Sequence, residues 1–410
     1  MGEDNAAQAK KILGYSRWWL IVAAAGMMAM VGPYQYVWTA IETPIANRLN
    51  VPLPQIGLVF TLFVIFQAGS QFPVGWWRDK HGPRLISMIA AVLAGFGYIG
   101  LAFADQVWQV YILYSLGAIG VGIVYTVAVN TALKWFPDRR GLTTGVGTMA
   151  FAGGSALFVP FVRANATVSQ YPNVLKIMGV LIGIIVFIGA LILQDPPDGW
   201  ADTPSNPVPQ TDPDVRSASF TWREMVTTWQ FWLMYGMFVA MSGAGLMLTA
   251  KVVQFANNLG LQELIATLSA TLLPIAGGIG RLLLGEISDR VDRKRAMMVS
   301  FLLCGLGLYA TILFARLGYG IAFIGAVFVA TFFWSPQYTL FPSIVGDYYG
   351  EKYSSANYAL LYSGKMWGGV FGGAIAGWIV TLTSWEITFA IGGTLAVFAG
   401  VSAFFLRPPQ

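Results

Sequence analysis

The chain has one cysteine and one histidine in 410 residues. Cys304 lies inside an apolar run, so an internal disulfide and a cysteine-based metal site are both excluded. His81 falls in a short charged segment, away from any apolar run. No His/Cys cluster exists, so metalloenzyme and cysteine-nucleophile chemistry lack their raw material, and no metal or cofactor is expected. Charge is scarce as well. Only 10% of residues are Asp, Glu, Lys or Arg, against about 25% in soluble globular proteins. A deficit of that size excludes a chain whose surface mostly meets water. The scarcest feature is acid at depth: none of the 19 Asp and Glu sits in the middle of an apolar run, Glu42 and Glu286 lying near run ends and the rest in loops or tails. An intramembrane enzyme, which needs such acids, histidine or metal ligands, is therefore not expected.

What is present is hydrophobic length. Apolar residues make up 56% of the chain, in runs near the roughly 20 residues that cross a bilayer. Twelve such spans are read at 18–42, 53–75, 85–104, 107–131, 142–162, 174–194, 227–250, 264–286, 296–315, 320–344, 354–382 and 385–406. Between the sixth and seventh, residues 195–226 carry Pro196, Pro197, Pro204, Pro207, Pro209 and Pro213, a composition that reads as an extended linker. The expected organisation is an amino-terminal bundle, 1–194, and a carboxy-terminal bundle, 227–410, each of six helices. Of the 24 Lys and Arg, 17 fall in segments on one side of this topology and 5 on the other, with two left inside spans. The positive-inside rule then places both termini in the cytoplasm. The net charge of +5 follows from topology, and no nucleic-acid partner is implied.

The halves repeat one another. GWWRDKHGPR at 75–84 follows the second span and GEISDRVDRK at 285–294 follows the eighth. Both place a glycine four residues before an aspartate, with bases around it: Gly75, Asp79, Lys80 and Arg84 in the first copy, Gly285, Asp289 and Arg290 in the second. Glycine lets two helix ends approach closely, and the aspartate can accept from backbone donors at a neighbouring helix start.

The two cations left in mid-span are Arg281 and Lys365. Counted from Asp289 and Ser354 at the basic rim, helix rise puts them roughly 12 and 16 Å deep. A charge at that depth costs about 2.5–3.5 kcal/mol on insertion scales, and neither has an acid three or four residues away. Two cations without an anion point to a partner supplied from outside. Arginine is planar and always charged, so Arg281 suits a carboxylate. Lys365 either joins it or sits deprotonated as a buried structural group. Polar aromatics and amides deep in spans supply candidate walls: Gln35 and Tyr36 in the first, Tyr125 in the fourth, Trp334 and Tyr338 in the tenth. Each serves helix packing equally well. Met28 and Val31 are candidate apolar lining. The glycines around Lys365 (Gly364, Gly368, Gly369, Gly372) suit close helix packing, and Pro336 is expected to disturb the tenth helix.

The doubled motif on a six-plus-six chain resembles the major facilitator superfamily. The segments at 35–36, 135–142, Arg281, 340–342 and 353–365 resemble its monocarboxylate transporter family, near the bacterial lactate transporters and the oxalate:formate antiporter branch. That resemblance implies an all-α major facilitator fold with two pseudo-symmetric bundles rocking about a central site. It also implies a carboxylate on Arg281, a further contact from Lys365, aromatic walls at Tyr36, Tyr125, Trp334 and Tyr338, and the two loops as latches. Animal members carry an acid one turn before the arginine and a lysine in the first helix. Here Gly277 holds the first position, and no Lys or Arg occurs between Arg17 and Arg48. Proton coupling therefore falls to Lys365, with Arg281 beside it, or to the substrate. The expectation is proton-coupled symport of a small monocarboxylate such as L-lactate, by a functional monomer in a bacterial inner membrane. The alternative is oxalate/formate-type exchange.

Overall fold

The computed structural model describes residues 2–165, 167–197, 200, 219–350 and 352–409. Among them every regular element is helical. Nine helices are long and apolar enough to cross a membrane, and ten count when the bent pair Ala6–Leu13 and Trp18–Tyr36 is taken as one. The fifth span, Arg140–Asn165, and the interrupted eleventh complete two bundles of six. These fall short on hydropathy or continuity because glycine, threonine and helix breaks fill them. Most of the stretch read as a linker lies outside the described residues. Its two ends are anchored: Asp195 pairs with Arg78, and Phe220 donates its N–H to the Tyr349 carbonyl at 3.0 Å.

Three spans that meet at the centre are broken. The first runs as Trp18–Val31, Pro33–Tyr36 and Trp38–Leu49. Pro33 lacks an N–H, and the Tyr34 carbonyl at the bend accepts the Tyr114 hydroxyl at 2.5 Å. The tenth breaks into Gly320–Trp334 and Gln337–Tyr349 around Ser335 and Pro336, as the proline predicts. The eleventh breaks at Ser363, between Ser354–Tyr362 and Gly364–Val370, then passes through a π-turn at Phe371–Ile375. Each break puts polar side chains or freed backbone groups at mid-depth, where an unbroken apolar helix would offer none.

The bundles meet along two helix pairs: the fifth span against the eighth, Glu263–Arg290, and the second, Leu53–Gly69 and Gln71–His81, against the eleventh. Glycine makes both contacts close. A Cβ on Gly75 would stand 2.5 Å from the Ser355 carbonyl oxygen, and Cβ atoms on Gly141 and Gly285 would each run into the other's carbonyl. Gly75→Val is therefore expected to force these helices apart and lower the melting temperature of the purified protein. An unchanged melting curve would contradict that packing.

Candidate functional site

Arg281 lies inside the eighth span, 2% exposed. Its Nε donates to Ser335 Oγ at 2.6 Å, so the break in the tenth span provides the acceptor. Its Nη1 donates to the Thr148 carbonyl of the fifth span at 2.8 Å, across the interface between the halves. The guanidinium also stands 4.7 Å from the Tyr338 ring centroid. Among the described residues no acid lies within ion-pairing distance of it. A guanidinium has five N–H donors. Two are engaged here, and three, on Nη1 and Nη2, have no protein acceptor among the described residues.

Lys365 follows the break in the eleventh span and is also 2% exposed. Its Nζ donates to Gln35 Oε1 at 3.1 Å, Gln67 Oε1 at 3.2 Å and Tyr362 Oη at 3.2 Å. An ammonium has three N–H groups, and all three meet neutral oxygens. Two of those oxygens belong to the amino half. Tyr338 is common ground, its ring centroid 5.7 Å from Lys365 Nζ.

Aromatic rings close the space around the cations. Tyr125 packs on Tyr362 with centroids 5.0 Å apart, and Tyr338 and Tyr358 lie 6.0 and 5.7 Å from the same ring. The hydroxyls of Tyr125, Tyr338 and Tyr358 and the Gln337 Nε2 are buried with no partner at hydrogen-bond geometry. Buried polar groups are normally paired; here the Tyr125 hydroxyl lies near those of Tyr358 and Tyr362, and the Tyr338 hydroxyl near Ser242. Trp334 gives its Nε1 to the Met241 carbonyl at 2.8 Å and meets Tyr338 edge-on at 5.6 Å, so it offers a ring and no donor. Tyr36 packs on Phe151, 6.1 Å away, and its hydroxyl lies within electrostatic reach of Arg281 and Tyr338. Met28 is buried in the amino half, and no hydrogen bond or ring contact brings it to either cation.

Sequence reasoning brought together Arg281, Lys365, Gln35, Tyr125, Tyr338 and Trp334, and the structure unites them. It missed Gln67, Tyr362, Ser335 and Thr148. A signal existed for two: Gln67 and Gln71 are amides one turn apart in an apolar run, and Tyr362 precedes Lys365 by three residues.

At the basic face each motif aspartate does what its spacing suggests. Asp289 accepts from the Gly141 and Leu142 N–H groups, both at 2.9 Å, at the start of the fifth span. Asp79 accepts from the Ala356 N–H at 3.0 Å at the start of the eleventh. All three bonds cross between the halves and use the free donors of a helix N-terminus. Three motif bases are placed elsewhere. Arg84 ties the start of the third helix to the Leu193 carbonyl within the amino half, Lys80 stacks on Trp76, and Arg290 pairs with Glu286 on its own helix. The bases that do join the crossing contacts are Arg78, fully buried and bonded to Ser355 Oγ at 3.3 Å, and Arg140, paired with Asp347 at 2.7 Å.

Behind Asp79, Asp195 takes Arg78 at 2.7 Å and Lys134 at 3.3 Å. Burial alone would push the Asp195 carboxyl up, but Arg78 and Lys134 outweigh it and hold it below the usual carboxylate range. A carboxyl depressed in the folded state stabilises above its ordinary pKa, and the benefit is lost only as pH falls through the depressed value. Asp195→Asn is thus expected to lower the melting temperature equally at about pH 6 and about pH 8. A loss confined to one of the two would show that another group governs this cluster.

The family model described as Major Facilitator Superfamily matches residues 18–254 and 236–410. An oxalate:formate antiporter of Oxalobacter formigenes is 34% identical over all of this chain and 95% of its own length. Human monocarboxylate transporter 11 is 29% identical over a shorter stretch, 32% of this chain and 29% of that one. Among solved structures, the proton:xylose symporter XylE bound to 6-bromo-6-deoxy-D-glucose superposes with a TM-score of 0.75 at 14% identity. That match covers 94% of each chain and bears on the fold alone.

Proposed function

From the premise that the chain belongs to the major facilitator superfamily, and so is an integral membrane transporter, we propose that it carries a small monocarboxylate such as L-lactate together with a proton. The observation that carries this reading is the state of the two cations. Among the described residues, Arg281 keeps three N–H donors without protein acceptors, beside the Tyr125 and Tyr338 side chains and with no acid within ion-pairing distance. That is a receptor for one carboxylate. Lys365 has all three donors engaged by neutral oxygens, which suits a group that balances charge and exchanges a proton better than a second anion clamp. Arginine holds its proton throughout, whereas lysine can release one. In this reading Tyr125 and Tyr338 bond the substrate's oxygens, and Trp334, Tyr36 and Phe151 pack its carbon skeleton.

In this reading the basic face is cytoplasmic, both termini lie inside, and the protein works as a monomer in a bacterial inner membrane. The bonds of Asp79 and Asp289 then latch the cytoplasmic side shut. Asp79→Asn is expected to slow turnover about tenfold, the cost of one charge-assisted hydrogen bond, while substrate affinity stays within about threefold. Equal loss of affinity and turnover would argue against a latch.

A second reading, exchange of a dianion such as oxalate for formate, is favoured by the oxalate:formate antiporter's full-length similarity and by the presence of two buried cations. The two separate in proteoliposomes. Uptake into vesicles free of internal carboxylate, rising as the outside is acidified, supports symport. Uptake that needs an internal anion and ignores the proton gradient supports exchange.

A further inference from the structure

The seventh span, Trp229–Asn258, presents one face to the broken tenth span. Phe238 meets the Tyr338 ring at 6.0 Å, the Met241 carbonyl accepts the Trp334 Nε1–H at 2.8 Å, and Ser242 donates to Gln337 Oε1 at 3.4 Å. Gly245 continues that face one turn after Met241. A Cβ at this position would overlap Cε2, Nε1 and Cδ2 of Trp334, so the indole lies directly on the bare helix backbone. Carbon atoms in ordinary contact stand about 3.5–4.0 Å apart, and a methyl group at 245 has to move the ring by more than about 1 Å. We propose that Gly245 is a positioning residue that sets the length of acid the site accepts. Its missing side chain leaves the recess in which the Trp334 indole is seated, and that seat fixes the room beside Arg281 for the substrate's carbon chain. This role rests on the reading above, in which Trp334 packs that chain.

The displaced ring stays inside the protein. Trp334 is buried between the seventh span and Tyr338, which it meets edge-on with centroids 5.6 Å apart. Tyr338 in turn stands against Arg281 and packs on Tyr362. A ring moved off the seventh span loses its bond to the Met241 carbonyl and crowds Tyr338 and the space by the guanidinium. Gly245 holds neither anchor of Arg281, which are Ser335 Oγ and the Thr148 carbonyl, so the carboxylate end of the site is left as it is. The cost falls on whatever the acid carries beyond its carboxylate. One methylene in an apolar pocket is worth about 10- to 200-fold in selectivity, so formate is spared and L-lactate is not.

The experiment is a double-mutant cycle on the purified full-length protein, with affinities for formate, L-lactate and oxalate read from ligand-dependent thermal shifts. Gly245→Ala is expected to weaken L-lactate at least tenfold while formate changes less than threefold. In a Trp334→Leu background, where no indole is left to displace, the same Gly245→Ala change is expected to alter L-lactate affinity less than threefold. An alanine variant that loses both acids equally, or neither, overturns the proposal, as does a loss of L-lactate that persists in the leucine background. If Gly245→Ala alone fails to fold, the double variant decides: a folded protein that binds L-lactate as Trp334→Leu does supports the proposal, and a second failure to fold overturns it. An unmodified protein that binds oxalate and not L-lactate overturns the monocarboxylate reading alone. The cycle is then read on oxalate against formate, with the selective loss of oxalate expected and an equal loss contradicting the role of Gly245.

Discussion

Arg281→Lys is expected to weaken carboxylate binding by one to two orders of magnitude and to bring transport at low substrate near background. Charge is preserved by this change, so the loss isolates geometry. A lysine offers a point charge with three donors in place of a planar fork. At this site the guanidinium is held by Ser335 on one edge and by the Thr148 carbonyl on the other, which aims its remaining N–H groups. A lysine cannot satisfy both anchors and still present two parallel donors to a carboxylate. Losing one hydrogen bond to a charged group costs about 1.5–3 kcal/mol, which is about 10- to 150-fold in affinity. Isothermal titration or a ligand-dependent thermal shift measures it directly. Unchanged affinity would remove Arg281 from the substrate site. Ser335→Ala is the milder companion: it frees Nε without touching charge, and a several-fold loss is expected.

Lys365→Gln is expected to uncouple transport from protons. The glutamine removes the one titratable ammonium at the centre while keeping an amide that can pair with Gln35, Gln67 and Tyr362. Because no acid lies beside Lys365 among the described residues, nothing else at this level is placed to accept the proton. Substrate binding should fall several-fold, since a positive charge near the anion is lost, and yet remain measurable through Arg281. The dependence of uptake on an inward proton gradient should disappear. If the variant still accumulates substrate against its gradient when the outside is acidified, the proton travels by another route, and Lys365 is a binding residue only.

Much of the architecture was legible because it rests on quantities that sequence displays openly: apolar length and a motif repeated at equivalent places. Pro336 announced the break in the tenth span. The break in the first was less visible, since Gly32 and Pro33 sit in an uninterrupted apolar run and the bend depends on Tyr114 from another helix. Span ends were read short where helices extend past the hydrocarbon. The seventh continues to Asn258, eight residues beyond its expected end.

At the site, charge was easy to find and neutral polarity was not. Arg281 and Lys365 stand out against any apolar background, whereas Gln67 barely disturbs a hydropathy profile even though it holds Lys365. The partners of the crossing contacts were harder still. Arg140 and Asp347 are 207 residues apart, and no local pattern links them. The motif pointed to Lys80, Arg84 and Arg290 and missed Arg78, and only packing separates this buried bridging arginine from bases that face solvent or their own half.

The measurement that bears most directly on the central claim is uptake of radiolabelled L-lactate into proteoliposomes, with and without an inward proton gradient, using the unmodified protein and Arg281→Lys side by side. Gradient-driven accumulation that vanishes in the variant is the expected result. No lactate uptake under either condition, with oxalate entering formate-loaded vesicles instead, would contradict the monocarboxylate reading and make the protein an exchanger.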